Sequence, residues 1–132
     1  MNTVPQELDW VEKRAVCTIG KVFNQLCDGI RTDTASLNAI RHSPQDSQFS
    51  AEMLSDGVTI TVGQLNRIPR ARVFIGAREN RIIVTQEWDR KEWSGTVGLN
   101  NEGRCIIRLE DKTELEQWQF RKKALEGLFF GD

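Results

Sequence analysis

Apolar residues in the first thirty positions recur every three or four residues, which is the period of a helix with one buried face. They are Leu8, Val11, Ala15, Ile19, Val22, Phe23, Leu26 and Ile30. The pattern predicts a helix over residues 4–30, and Asp28-Gly29 is a stop signal because glycine adopts the left-handed conformation without penalty. The sequence leaves the conformation of residues 31–47 open, with Asp33 as a candidate cap for a further short helix.

From residue 48 the period shortens to two, which is typical of strands with one buried face. Six short runs separated by turn signals such as Ser55-Asp56-Gly57 predict an antiparallel meander of five or six strands. One face of this sheet should carry Val73, Ile75, Ile82, Val84, Ile107 and Leu109. A helical pattern returns after Asp111, which stands in capping-box register with Glu114, as Thr113 does with Glu116.

These patterns together predict a two-layer α+β fold. A long N-terminal helix and a C-terminal helix should pack on one face of the antiparallel meander. The chain has 132 residues, a length that fits one domain over residues 1–132, and 39% of them are hydrophobic, which is enough for a core.

Composition excludes several kinds of chemistry. The chain has a single histidine, three cysteines without CxxC spacing and no glycine-rich phosphate loop, so we expect no metal site, no cofactor and no catalytic residues. An enzyme is therefore the less favoured class. The odd, widely spaced cysteines are expected to be reduced thiols of a cytoplasmic protein, and no apolar run is long enough to predict a membrane segment.

Charged residues are distributed unevenly along the chain, although its net charge is only −1. Residues 64–91 hold seven basic and three acidic side chains, and five arginines fall within residues 67–81. The guanidinium group offers a planar fork to carboxylates and phosphates. This segment is therefore a candidate anion-binding region, with Arg67, Arg70 and Arg72 at its start.

Strand alternation places many of these arginines on the sheet face turned away from the helices. The residues predicted there are Arg72, Phe74, Arg78, Arg81, Ile83, Thr85, Arg104, Ile106 and Arg108. Basic and apolar side chains interleave on such a face, which is typical of interfaces and of sheets that bind single-stranded nucleic acid. Phe74 is the one aromatic residue predicted there, whereas nucleic-acid platforms usually stack two or three bases, so a protein contact is favoured.

A second candidate surface is the Trp88–Trp93 hairpin. Asp89 and Glu92 lie between the two tryptophans, and carboxylates beside aromatic rings suit a sugar. The same six residues also fit a hairpin whose tryptophans form a cross-strand pair.

The sequence therefore predicts a non-catalytic protein-interaction module. Its partner is another protein or a second copy of the chain, bound through the arginine-containing and apolar sheet face or through the helix face that carries Trp10. The alternative is binding of an anion, a sugar or single-stranded nucleic acid. The candidate binding residues are Arg67, Arg70, Arg72, Phe74, Arg81, Ile83, Trp88 and Trp93.

Overall fold

Across the part of the chain that the structure describes, a sheet of seven antiparallel strands and a layer of helices make up the fold. The computed structural model describes residues 9–41, 48–64 and 71–131. The helices are α1 (Trp10–Val16), α2 (Ile19–Ile40) and α3 (Gln117–Phe130). The strands are β1 (Phe49–Met53), β2 (Thr59–Gln64), β3 (Arg72–Arg78), β4 (Arg81–Gln86), β5 (Lys91–Leu99), β6 (Cys105–Leu109) and β7 (Glu114–Leu115). The predicted α+β class is confirmed, and the described sheet has seven strands where five or six are predicted.

Each strand pairs with its neighbours in the chain, so the sheet order is β1 to β7 without a crossover. Its helix-facing side forms the core with α2 and α3. The residues predicted to face the helices do so: Val73, Ile75, Ile82, Val84 and Ile107 are buried, and Leu109 is half-buried. Alternation therefore assigned the two faces of β3, β4 and β6 correctly.

The N-terminal helix differs from the prediction in two respects: it is interrupted, and it ends later than expected. The helix is interrupted at Cys17 and Thr18. The Thr18 hydroxyl oxygen accepts a hydrogen bond from the Lys21 N–H and caps α2. The helix then runs through Gly29 to Ile40, so the predicted stop is wrong; the predicted residues 4–8 lie outside the described residues. A Cβ atom on Gly29 would lie 2.6 Å from the Arg121 guanidinium, so this glycine provides close contact with α3.

The C-terminal helix begins later than Asp111. Asp111 accepts a hydrogen bond from the Thr113 N–H in a turn, and the short β7 follows. The capping box is formed by Glu116 and Gln119 instead, with the Gln119 side chain accepting from the Glu116 N–H at 2.8 Å. The sequence before α3 contains two overlapping capping-box patterns, Asp111 with Glu114 and Thr113 with Glu116, and neither marks the start of the helix.

Two of the three cysteines form a disulfide, which contradicts the prediction of reduced thiols. Cys17 lies between α1 and α2 and is bonded to Cys105 at the start of β6, 88 positions away. Cys27 is free and buried, and burial raises the pKa of its thiol. Within the described parts of the chain, no helix has both the length and the apolar character needed to cross a membrane.

Candidate interaction face

The face of the sheet opposite the helices carries a line of basic side chains, which we call the arginine row. It consists of Arg78, Arg81 and Arg108, with Thr96 between the last two. In the strand register Arg78 pairs with Arg81, Arg81 with Thr96, and Thr96 with Arg108. Directly paired residues in an antiparallel sheet point to the same face, and neighbouring strands are about 4.8 Å apart. The row therefore extends about 15 Å across four strands.

A tight hairpin holds one end of the arginine row. Glu79 and Asn80 form the turn between β3 and β4, and Glu79 has a positive φ of 56°. The Asn80 side chain donates a hydrogen bond of 2.8 Å to the carbonyl oxygen of Val97, and the Val97 N–H donates to the Asn80 carbonyl at 3.0 Å. These bonds fix the turn against β5, so the backbone beneath Arg78 and Arg81 is preorganised.

The other end of the row is partly neutralised. Arg108 forms an ion pair of 2.8 Å with Glu114, the residue opposite it on β7. The hydrogen bond from Arg108, followed by one from Asn100, holds the pKa of Glu114 below its usual range. Arg78 and Arg81 are exposed, and among the described residues no acidic side chain forms an ion pair with either. The row therefore presents excess positive charge to solvent.

The apolar part of this face is less accessible than the sequence suggested. Phe74 and Ile83 are half-buried, and Ile106 is only 6% exposed. The Arg72 guanidinium lies over the Phe74 ring, 5.2 Å from its centroid, and is fixed there by hydrogen bonds of 2.6 and 3.1 Å to Glu87. One face of the Phe74 ring is therefore occupied, and Arg72 is already paired. Of the candidate arginines, Arg67 and Arg70 lie outside the described residues.

The two tryptophans of the predicted hairpin do not form a pair. The turn comprises residues 87–90 and begins one residue before Trp88, which is itself exposed. Trp93 lies opposite Val84 on the helix-facing side, where its ring packs against Phe120 at 5.0 Å. The Lys123 ammonium group lies 5.2 Å from the Trp93 ring centroid. The two rings therefore do not form one aromatic surface: Trp88 is exposed to solvent, and the half-buried Trp93 lines a cavity of about 260 Å³ together with Glu92.

Two residues of the row, Arg78 and Arg108, were placed on this face by strand alternation but were not among the candidate binding residues. Alternation shows which side of a strand a residue occupies, whereas the alignment of Arg78, Arg81 and Arg108 depends on the register between strands. That register was not readable from the pattern, since each hairpin turn shifts it by its own length.

Side chains suited to holding a metal ion are not brought together in the described chain. No group of three or more His, Cys, Asp or Glu side chains among these residues is arranged to hold a metal ion. His42, the single histidine, lies outside them. Comparisons with protein-family models, with curated proteins and with solved structures found no match.

Proposed function

We propose that this chain is a non-catalytic interaction module that binds an acidic protein segment through the arginine row. The observation that carries the proposal is the alignment of Arg78, Arg81 and Arg108 on one open sheet face. Arginine forks bind carboxylates with two parallel hydrogen bonds. An extended chain with acidic side chains on one side matches a row of about 15 Å.

Two features favour an acidic protein over single-stranded nucleic acid. Sequence-tolerant binding of single strands depends on aromatic rings that stack with bases. Phe74 has Arg72 over its ring, and Trp93 packs toward the helices. The remaining interaction is charge pairing, which an acidic peptide satisfies fully.

Self-association through this face is less favoured for an electrostatic reason. A two-fold contact centred on the arginine row would bring like charges together, and that juxtaposition costs free energy. The apolar residues that would offset this cost, Phe74, Ile83 and Ile106, are half-buried or buried. Light scattering across a concentration series provides the test, and a stable dimer lost in Ile83→Asp would replace the present proposal.

The binding experiment uses poly-glutamate as the probe. The double variant Arg78→Ala/Arg81→Ala should bind it about five- to thirtyfold more weakly than wild type, since each exposed charge contact contributes about 0.5–1 kcal/mol. Affinity for the wild-type protein should also fall with rising salt, because exposed charges are screened.

The matched control is Arg31→Ala/Lys122→Ala, which removes the same charge from α2 and α3 on the opposite side of the sheet. This control should bind within about twofold of wild type, because its charges lie on the helix layer, which packs against the other face of the sheet. Equal weakening in both double variants would attribute binding to net charge and overturn the proposal. Preferential binding of a single-stranded oligonucleotide over poly-glutamate would replace the acidic protein with nucleic acid.

Localisation needs a separate proposal. A cytoplasmic site was predicted from reduced thiols, and the Cys17–Cys105 disulfide favours an oxidising compartment instead. Trapping free thiols during cell lysis distinguishes the two. Alkylation of Cys27 alone after unfolding supports an oxidising compartment, whereas alkylation of all three cysteines supports the cytoplasm.

A further inference from the structure

The two sulfur-bearing residues of the disulfide differ sharply in exposure. Cys17 is 1% exposed, whereas Cys105 is solvent-exposed at the start of β6. An incoming thiolate reacts with whichever sulfur it can reach. Approach from solvent therefore favours attack on Cys105.

Cys105 lines a cavity of about 420 Å³ between α1 and the β5–β6 hairpin. Lys13 and Arg104 also line this cavity, together with a single carboxylate, that of Glu116. Among the described residues, neither Lys13 nor Arg104 forms an ion pair. The cavity therefore combines an accessible disulfide with two cations suited to a small anionic molecule.

Cys17 is placed to accept negative charge when the disulfide opens. It directly precedes Thr18, the N-cap of the 22-residue helix α2, and helix N-termini favour nearby anions. The Arg14 guanidinium donates a hydrogen bond of 2.8 Å to the Cys17 carbonyl oxygen, which brings a positive charge to the same place. The helix start and the Arg14 charge offset part of the cost of forming a thiolate at Cys17, which is buried and is also the C-cap of α1.

We propose that this cavity is a thiol–disulfide exchange site for an anionic low-molecular-mass thiol of the glutathione class, with Cys105 as the sulfur attacked. The thiolate of glutathione forms a new S–S bond to Cys105 while the Cys17–Cys105 bond breaks. The electron pair of that bond passes to Cys17, whose thiolate takes a proton from water. A second glutathione then releases Cys105 as a thiol and leaves as oxidised glutathione, so the reduced thiol supplies both electrons.

The cavity contains none of the arginine-row residues, so the two sites can be tested independently. Its test incubates the oxidised full chain with reduced glutathione, quenches with acid and locates the adduct by peptide mass spectrometry. The mixed disulfide should appear at Cys105 at about ten times its level at Cys17, in keeping with their difference in access. Cys27 provides an internal control, and because it is buried it should carry no adduct while the chain is folded.

A charge variant tests the role of the cavity. Lys13→Ala/Arg104→Ala should slow adduct formation with glutathione about three- to tenfold, as expected for loss of two attractive charges. The same variant should react with neutral β-mercaptoethanol at the wild-type rate, which also checks that the disulfide remains equally accessible. Arg31→Ala/Lys122→Ala, with the same change in net charge, should react with both thiols as wild type does.

Three results would overturn the proposal. The first is an adduct found mainly at Cys17, and the second is no adduct on the folded chain. The third is a Lys13→Ala/Arg104→Ala variant that slows glutathione and β-mercaptoethanol equally, which would mean that the two cations do not select an anionic thiol.

Discussion

Gly95 and Gly98 stand three residues apart in β5 and face opposite sides of the sheet. A Cβ atom on Gly95 would lie 2.3 Å from the Cγ2 methyl of Ile107, a buried β-branched residue that has little freedom to move. A Cβ atom on Gly98 would meet nothing within 4 Å. The two glycines therefore differ in what the structure requires of them.

We predict that Gly95→Ala lowers the free energy of unfolding by about 1–3 kcal/mol, the usual cost of overpacking a core. Gly98→Ala should leave it unchanged or raise it by up to about 1 kcal/mol, since alanine loses less conformational entropy than glycine in a strand. Urea unfolding of both variants provides the measurement. Equal effects from the two substitutions would contradict the packing of β5 against β6.

Glu114 reports on whether Arg108 of the arginine row is paired. Its pKa lies below the ordinary value of 4.5, and the largest cause is the hydrogen bond from Arg108. We predict that Arg108→Ala raises the pKa of Glu114 toward that value, as measured by NMR titration of the side-chain carboxyl. An unchanged pKa in the variant would show that the Arg108–Glu114 pair does not persist in solution.

The sign of the pH dependence follows from this lowered pKa. Ionised Glu114 stabilises the folded chain at pH values above its unfolded pKa, and that contribution is lost as the pH falls through the lower, folded pKa.

Glu114→Gln removes the contribution at neutral pH and frees Arg108. It should therefore strengthen poly-glutamate binding about two- to fivefold, in line with the small energies of exposed pairs. Weaker binding by this variant would count against Arg108 as part of the row.

At the scale of elements, α2 and α3 are joined by a cross-helix ion pair. The Arg121 Nε donates to Asp33 at 2.8 Å, and the Arg121 side chain is only 19% exposed. Asp33 is thus part of the contact between α2 and α3, although the sequence suggested it as a helix cap. Its partner lies 88 positions away, beyond the reach of any local pattern.

We predict a coupling free energy of about 1 kcal/mol between Asp33 and Arg121 in a double-mutant cycle with alanine, measured by chemical unfolding. The exposed pair Asp28–Arg31, which spans 3.6 Å within α2, is the matched control and should give about 0.3 kcal/mol. Equal coupling in the two cycles would argue that α2 and α3 are not held together by this pair.

Strand faces could be predicted from the sequence and helix ends could not, for a physical reason. Strand faces in β3, β4 and β6 followed from alternation, because burial on one side of a sheet has a fixed period of two. The ends of α2 could not be predicted from local signals. Gly29 lies inside the helix, where the Arg121 side chain of α3 packs closely against it. The interruption at Cys17 coincides with a disulfide to β6. Contacts between distant segments override local propensity at such positions.

At the scale of the whole molecule, the near-neutral net charge hides an uneven distribution. Arg78 and Arg81 belong to the basic segment 64–91, whereas Arg108 comes from residues 92–132, which hold six basic and eight acidic side chains. The antiparallel register aligns the three on one face while the helices cover the other. The fold therefore determines which face of the molecule carries the positive charge. The distribution of charge along the sequence indicated Arg78 and Arg81 but not Arg108.

An NMR titration of the isotope-labelled chain with poly-glutamate locates the binding surface residue by residue. Binding at the arginine row predicts that the largest amide shifts occur at Arg78, Arg81, Thr96 and Arg108, with little change in α2 and α3. Shifts concentrated in the helices, or no shifts at low salt, would contradict the assignment of this sheet face as the binding surface.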